Sequence, residues 1–96
     1  MNWIYENGRI YSVDENNELI AEATYVPAGN ATVDINYTYV NPALRGQGVA
    51  GEMMEAVAQR LRKDGLRAVA SCSYANAWLR RHRDSYPDVI SDDLER

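Results

Sequence analysis

The residues best placed to do chemistry lie in two positions: the stretch Arg45-Gly46-Gln47-Gly48-Val49-Ala50 and the only cysteine, Cys72. In the first, glycines leave the backbone bare just where a run of helical periodicity begins. A helix that opens there presents unpaired N–H groups and the positive end of its dipole, a combination that binds anions and above all phosphates. Arg45 adds a permanent charge that can meet phosphate oxygens with two parallel hydrogen bonds. The stretch therefore reads as a seat for a ligand carrying a pyrophosphate. In the second position, a thiol is either a nucleophile or a small buried hydrophobe.

The elements that hold these positions follow from the pattern around them. Trp3 to Tyr5 and Ile10 to Val13 are separated by Asn7-Gly8, the dipeptide preferred in a two-residue hairpin turn. Asp14-Glu15-Asn16-Asn17 and Pro27-Ala28-Gly29-Asn30 then bound two further runs, Leu19 to Val26 and Thr32 to Val40. The expectation is an antiparallel meander of about four strands. In the last of them Val33, Ile35, Tyr37 and Tyr39 alternate with polar residues, so these four are expected on the core face. From Val49 the period changes: Ala50, Met53, Met54, Val57 and Leu61 fall on one helical stripe, and Gly65 closes it. Leu66 to Ser71 reads as a buried strand, and a helical crossover makes it parallel to Thr32–Val40. A short second helix is expected over Tyr74 to Arg83, with Ala77, Trp78 and Arg81 together, and the acidic tail from Pro87 is expected to pack only through Val89 and Ile90. The predicted fold class is α/β (α+β) in one domain, residues 1–96.

Composition narrows the functions open to this fold. Hydrophobic residues are 46% and charged residues 25% of the 96, which is ordinary globular content. Residues 1–44 hold one arginine against six carboxylates, residues 45–87 eight basic side chains against four acidic ones, and the last nine residues are acidic again. The positive segment contains the anion seat. The formal charge of −4 makes nucleic acid an improbable partner for Arg80, Arg81 and Arg83. The polar start Met1-Asn2-Trp3-Ile4 lacks a signal peptide's order and no apolar run could span a bilayer, so no membrane role and a cytoplasmic location are expected. With one cysteine and one histidine, His82, no internal disulfide can form and no zinc cage is expected.

Two nucleotide-type motifs compete for the glycine stretch. Gly46-x-Gly48-x-x-Gly51 satisfies the dinucleotide fingerprint formally, but no carboxylate near Ser71 could grip a ribose, and the chain is too short for a doubly wound sheet. The Gly-Lys-Ser/Thr ending of an ATP-type phosphate loop is absent. The other motif is Arg45-x-x-Gly48-x-Ala50, following Val40 and Asn41-Pro42. It resembles the acetyl-CoA signature of the GNAT N-acetyltransferase superfamily, Arg/Gln-x-x-Gly-x-Gly/Ala. Ser71-Cys72-Ser73-Tyr74, with Trp78 to His82 and Tyr86, is similar to the second hallmark of a compact GNAT-like branch with a cysteine after the glycine helix. This chain has Tyr37-Thr38 where that branch commonly has His-Thr, and His82-Arg83-Asp84-Ser85-Tyr86 where it has His-Pro-Glu-Tyr.

The resemblance implies a GNAT-like fold and acetyl-CoA as co-substrate. Val40, Arg45, Gly46, Gln47, Gly48, Val49 and Ala50 would bind it, with the pyrophosphate on the amides of Gly46 to Ala50 and the pantetheine arm along Thr32–Val40. The acetyl group would lie near Tyr39 and Val40, and an unidentified amine would accept it. The implied catalytic residue is Cys72, which would take the acetyl group covalently or line the slot. A helix N-terminus beside it would favour the first by lowering its pKa. The bland readings remain beside these: Met53 and Met54 as core filler, His82 as a partly packed imidazole, and Tyr37 and Tyr39 as core rather than proton donors. Two rival functions also remain, a module that holds CoA without transfer and an interaction protein whose glycine loop is only a tight turn.

Overall fold

The computed structural model describes residues 1–95. Strands β1 (Ile4–Glu6), β2 (Arg9–Val13), β3 (Leu19–Pro27), β4 (Thr32–Val40) and β5 (Arg67–Ala70) form one sheet in the order 1-2-3-4-5. The first three pairings are antiparallel and β4–β5 is parallel, joined by helix α1 (Val49–Asp64). Helix α2 (Ser73–Arg81) follows β5. The expected meander, crossover and short last helix are all present. Among the described residues no helix is long and apolar enough to cross a membrane.

α1 lies across the sheet and packs chiefly on β3. Met53, Met54, Val57 and Leu61 are fully buried and join Ile10, Ala21, Ala23, Val33 and Ile35 of the sheet in one core cluster. Alanine at both buried positions of β3 keeps that surface low and leaves volume for two adjacent methionines, whose unbranched chains fill irregular space. Ala50, expected on this stripe, is only half-buried at the helix start, and Val49 takes its place in the core. At the other end Gly65 accepts the left-handed cap, and its N–H returns to the carbonyls of Arg62 and Leu61.

Several further expectations need correction. Tyr37 and Tyr39 do not extend the buried face of β4: Tyr37 is 46% exposed and Tyr39 half-buried. Thr24 pairs with Tyr37 whereas its neighbour Tyr25 pairs with Ile35, so Asn36 is an extra residue on β4. Such a bulge inverts the alternation beyond it. Thr38 and Val40, opposite the fully buried Ala23 and Ala21, take over the inward face. On α2 the buried face is Ala75, Trp78 and Leu79, while Arg81 is exposed. The strand predicted over Leu66 to Ser71 is a four-residue edge with only Ala68 buried.

The tail packs through more than Val89 and Ile90. Leu94 is buried as well, as is Tyr86 just before the tail, and Ile90 forms a parallel bridge with Ala68. Tyr86 Oη donates to the Glu55 carboxylate and accepts from Gln59 Nε2 at 3.1 Å, so the tail is tied to α1. Arg62 meets both oxygens of Asp88 at 2.8 Å.

The β3–β4 connection contains a local conflict. Asn30 and Ala31 have φ of 53° and 57°, and Thr32 N–H closes the turn on Gly29 O at 2.9 Å. Two central residues with positive φ define the hairpin turn that favours Asn-Gly, and alanine at the second position carries a steric cost. Ala31→Gly should therefore stabilise the fold by about 0.5–1 kcal/mol despite the entropy that glycine adds to the unfolded chain. A higher urea midpoint at unchanged slope checks this.

Candidate acetyl-CoA site

The site grows from the end of the β4–β5 ladder. Pairing runs from Thr32↔Arg67 to Ile35↔Ala70, and one further hydrogen bond joins Cys72 N–H to Ile35 O at 3.1 Å. There the chain turns into α2, while β4 continues from Asn36 to Val40 with no strand among the described residues on that side. The Asp34 carboxylate holds this turn by accepting from Ser71 N–H at 2.6 Å, and Asn76 Nδ2 donates to Ala70 O at 3.0 Å. β4 and the start of α2 thus part around an open cleft.

A cavity of about 430 Å³ occupies the cleft and the glycine turn beside it. Val40, Arg45, Gly46, Gly48, Val49 and Ala50 all line it. Of the residues expected to hold the cofactor, only Gln47 does not. Gly46 and Gly48 have φ of 85° and 79°, a conformation that side chains resist, and a Cβ on either would meet nothing within 4 Å. The first helical hydrogen bond of α1 runs from Glu52 N–H to Gly48 O, so the amides of Val49, Ala50 and Gly51 precede the ladder. Before them, Asn41 Oδ1 accepts from Ala43 N–H at 3.0 Å and shapes the short turn Pro42–Leu44 that carries Arg45 to the rim. Bare amides, a helix N-terminus and a guanidinium therefore surround one opening, which suits an anion.

Cys72 does not line the cavity, but it is one side chain away. Thr38, which does line it, places Oγ1 3.3 Å from Cys72 Sγ. The cysteine is half-buried at the N-cap of α2. Burial pushes its thiol up, but the N–H of Ala75 and the Thr38 hydroxyl, with the N–H groups of Tyr74 and Thr38, outweigh burial and hold the pKa below its ordinary value. The helix N-terminus anticipated beside Cys72 is thus its own.

Sequence reasoning missed Thr38 and Tyr74 as lining residues. Thr38 read as an outward polar residue because nothing local announced the bulge. Tyr74, two residues after Cys72 in the first turn of α2, could have been found from that position alone. Tyr39 does reach the cavity, whereas Tyr37 does not line it. His82 stacks on Trp78 with ring centroids 3.9 Å apart, and its Nδ1 lies 2.8 Å from Trp78 O, which is the packed imidazole expected of it.

Comparison with known proteins agrees with this architecture. A family model described as GCN5-related N-acetyltransferase matches residues 10–89. The solution structure of a GCN5-like candidate N-acetyltransferase from Staphylococcus aureus is similar at 34% identity and a TM-score of 0.75, covering 94% of this chain and 87% of that one. Two crystal structures share the fold at lower identity. The ribosomal-protein-S18-alanine N-acetyltransferase from Escherichia coli matches with a TM-score of 0.60 at 15% identity, over 82% of this chain and 50% of that one. Nourseothricin acetyltransferase matches with a TM-score of 0.57 at 19% identity, over 76% and 46%. The chain thus spans about half the length of these two enzymes. No curated protein matches it. The family model takes in most of the sequence, including the glycine turn and the Cys72 cap, and on that match the chain belongs to the GCN5-related N-acetyltransferase family.

Proposed function

We propose that this protein, acting as a single domain, binds acetyl-CoA in the cleft between β4 and α2 and transfers the acetyl group to an amine, with Cys72 as the nucleophile. The observation that carries the reading is the continuity of the cavity, which runs from the glycine turn to Thr38 and so to within one hydrogen bond of Cys72. In this reading the pyrophosphate rests on the amides from Gly46 to Ala50 beside Arg45, and the pantetheine arm follows Val40, Tyr39 and Thr38 along the unpaired side of β4. Peptide-like groups of that arm can complete hydrogen bonds that β5 leaves unmade, in the manner of a strand added to a sheet.

The reaction proceeds in two steps. The Cys72 thiolate attacks the thioester carbonyl carbon, a backbone N–H of β4 stabilises the oxyanion, and the C–S bond to CoA breaks to release CoA thiolate. The neutral acceptor amine then attacks the acetyl-cysteine, Cys72 leaves as thiolate, and the proton lost by nitrogen neutralises the CoA thiolate. The lowered pKa of Cys72 favours the first step near neutral pH, where more of the thiol is already ionised. A cytoplasmic site of action belongs to the same reading, since a free catalytic thiol needs reducing surroundings.

Calorimetric titration with CoA should show binding to the wild type and a loss of at least about tenfold for Gly48→Trp, because an indole there would cover the amides that receive the pyrophosphate. The open space around Gly48 spares this variant a clash, but a side chain at φ 79° is strained, so its thermal transition should fall below that of the wild type and the titrations are run well below both. Undiminished CoA binding by a folded Gly48→Trp would remove the glycine turn from the ligand site. For the chemistry, intact-protein mass spectrometry after incubation with acetyl-CoA should show a gain of one acetyl group on the wild type and none on Cys72→Ala. An equal gain on both proteins would move the covalent step away from Cys72.

A further inference from the structure

We propose that Thr38 is the positioning residue for Cys72: its hydroxyl donates to Sγ and fixes the sulfur at the point where β4 and β5 part. This rests on the reading of Cys72 as nucleophile but gives a role to a residue outside the glycine turn and the cysteine segment. The geometry behind it has three parts. Thr38 Oγ1 lies 3.3 Å from Sγ, and Thr38 also lines the cavity, so one side chain connects the thiol to the ligand space. The bulge at Asn36 turns Thr38 inward; without it the alternation would put Tyr37 and Tyr39 on that face and Thr38 on the other. The cysteine backbone is fixed independently, through its N–H on Ile35 O and its carbonyl accepting from Asn76 N–H at 2.9 Å. Sγ therefore has one main freedom left, rotation about its own bond, and the Thr38 hydroxyl sits where it can select a rotamer.

The hydroxyl can rotate to donate or accept. Facing a thiol, the pair can run in either direction. Facing a thiolate, only donation from Oγ1 is favourable, so the bond stabilises the reactive form more than the resting one. A methyl group in place of the hydroxyl would keep the volume and lose this preference.

The test is the rate of Cys72 alkylation by iodoacetamide across the pH range from about 5.5 to 9.5, followed by intact mass for wild type, Thr38→Val and Thr38→Ser. Thr38→Val should move the midpoint to higher pH and slow alkylation near neutral pH by about three- to tenfold, the smaller figure allowing for the greater intrinsic nucleophilicity of a more basic thiolate. Thr38→Ser should retain the wild-type midpoint. If Thr38→Val does not fold, Thr38→Ala carries the same expectation. A wild-type midpoint in the valine or alanine variant, or an equal shift in the serine variant, would overturn the proposal. A profile that shifts as expected, in a protein that acquires no acetyl group from acetyl-CoA, would uphold the Thr38–Cys72 pair and count against the covalent role of Cys72.

Discussion

The parting of β4 from β5 after Ile35 and Ala70 is the constraint on which the rest of this structure depends. A parallel pair held to its full length would fill the space that the cavity occupies, and its ladder would consume the backbone groups of β4. Instead β5 stops after four residues and its chain turns at once into α2. Three contacts hold the point of separation: Asp34 on Ser71 N–H, Cys72 N–H on Ile35 O, and Asn76 on Ala70 O. Each satisfies a polar group that the lost ladder would otherwise leave unpaired. The bulge at Asn36 falls directly beyond the last paired residue, and Thr24 Oγ1 donates to its side chain at 2.7 Å on the outer face.

Much of this was readable from the chain. Asn7-Gly8 marked the first hairpin, the shift from alternating to helical period marked the junction at Val40 to Gly51, and a helical crossover required a parallel fifth strand. These signals are local or follow from chirality, so tertiary context did not override them. The glycine turn was legible for the same reason, since its amides are presented by the backbone whatever packs nearby. The bulge was not. Asn36 looks like any outward polar residue of a strand, and only the pairing of Thr24 and Tyr25 with β4 reveals that one residue is extra. The assignment of Tyr37 and Tyr39 to the core failed with it, and Thr38 went unnoticed.

The second helix shows a different limit. Its predicted face combined Ala77, Trp78 and Arg81, but the observed face is Ala75, Trp78 and Leu79. In nine residues a helix makes too few turns for periodicity to choose between neighbouring stripes. Tyr86 packs beside that face, its ring 5.9 Å from that of Trp78 and its hydroxyl reaching Glu55 and Gln59 on α1. A residue outside both helices thus contacts both of them. Composition made the tail look merely acidic because its buried apolar residues, Val89, Ile90 and Leu94, are dispersed among carboxylates.

The bridge between Ile90 and Ala68 also bears on how this small protein behaves at high concentration. A sheet ordered 1-2-3-4-5 has two margins, and each is a template on which another chain could grow by strand exchange or fibril formation. One margin is β1, only three residues long and ending in a glutamate that pairs with Arg9. The other is β5, where the tail occupies the middle of the edge: Ala68 N–H donates to Val89 O at 2.7 Å and Ser91 N–H donates to Ala68 O at 2.9 Å. These two margins are thereby short or blocked, so the edge left open for another strand is the side of β4 beyond Ile35, where Thr38, Tyr39 and Val40 face the cavity.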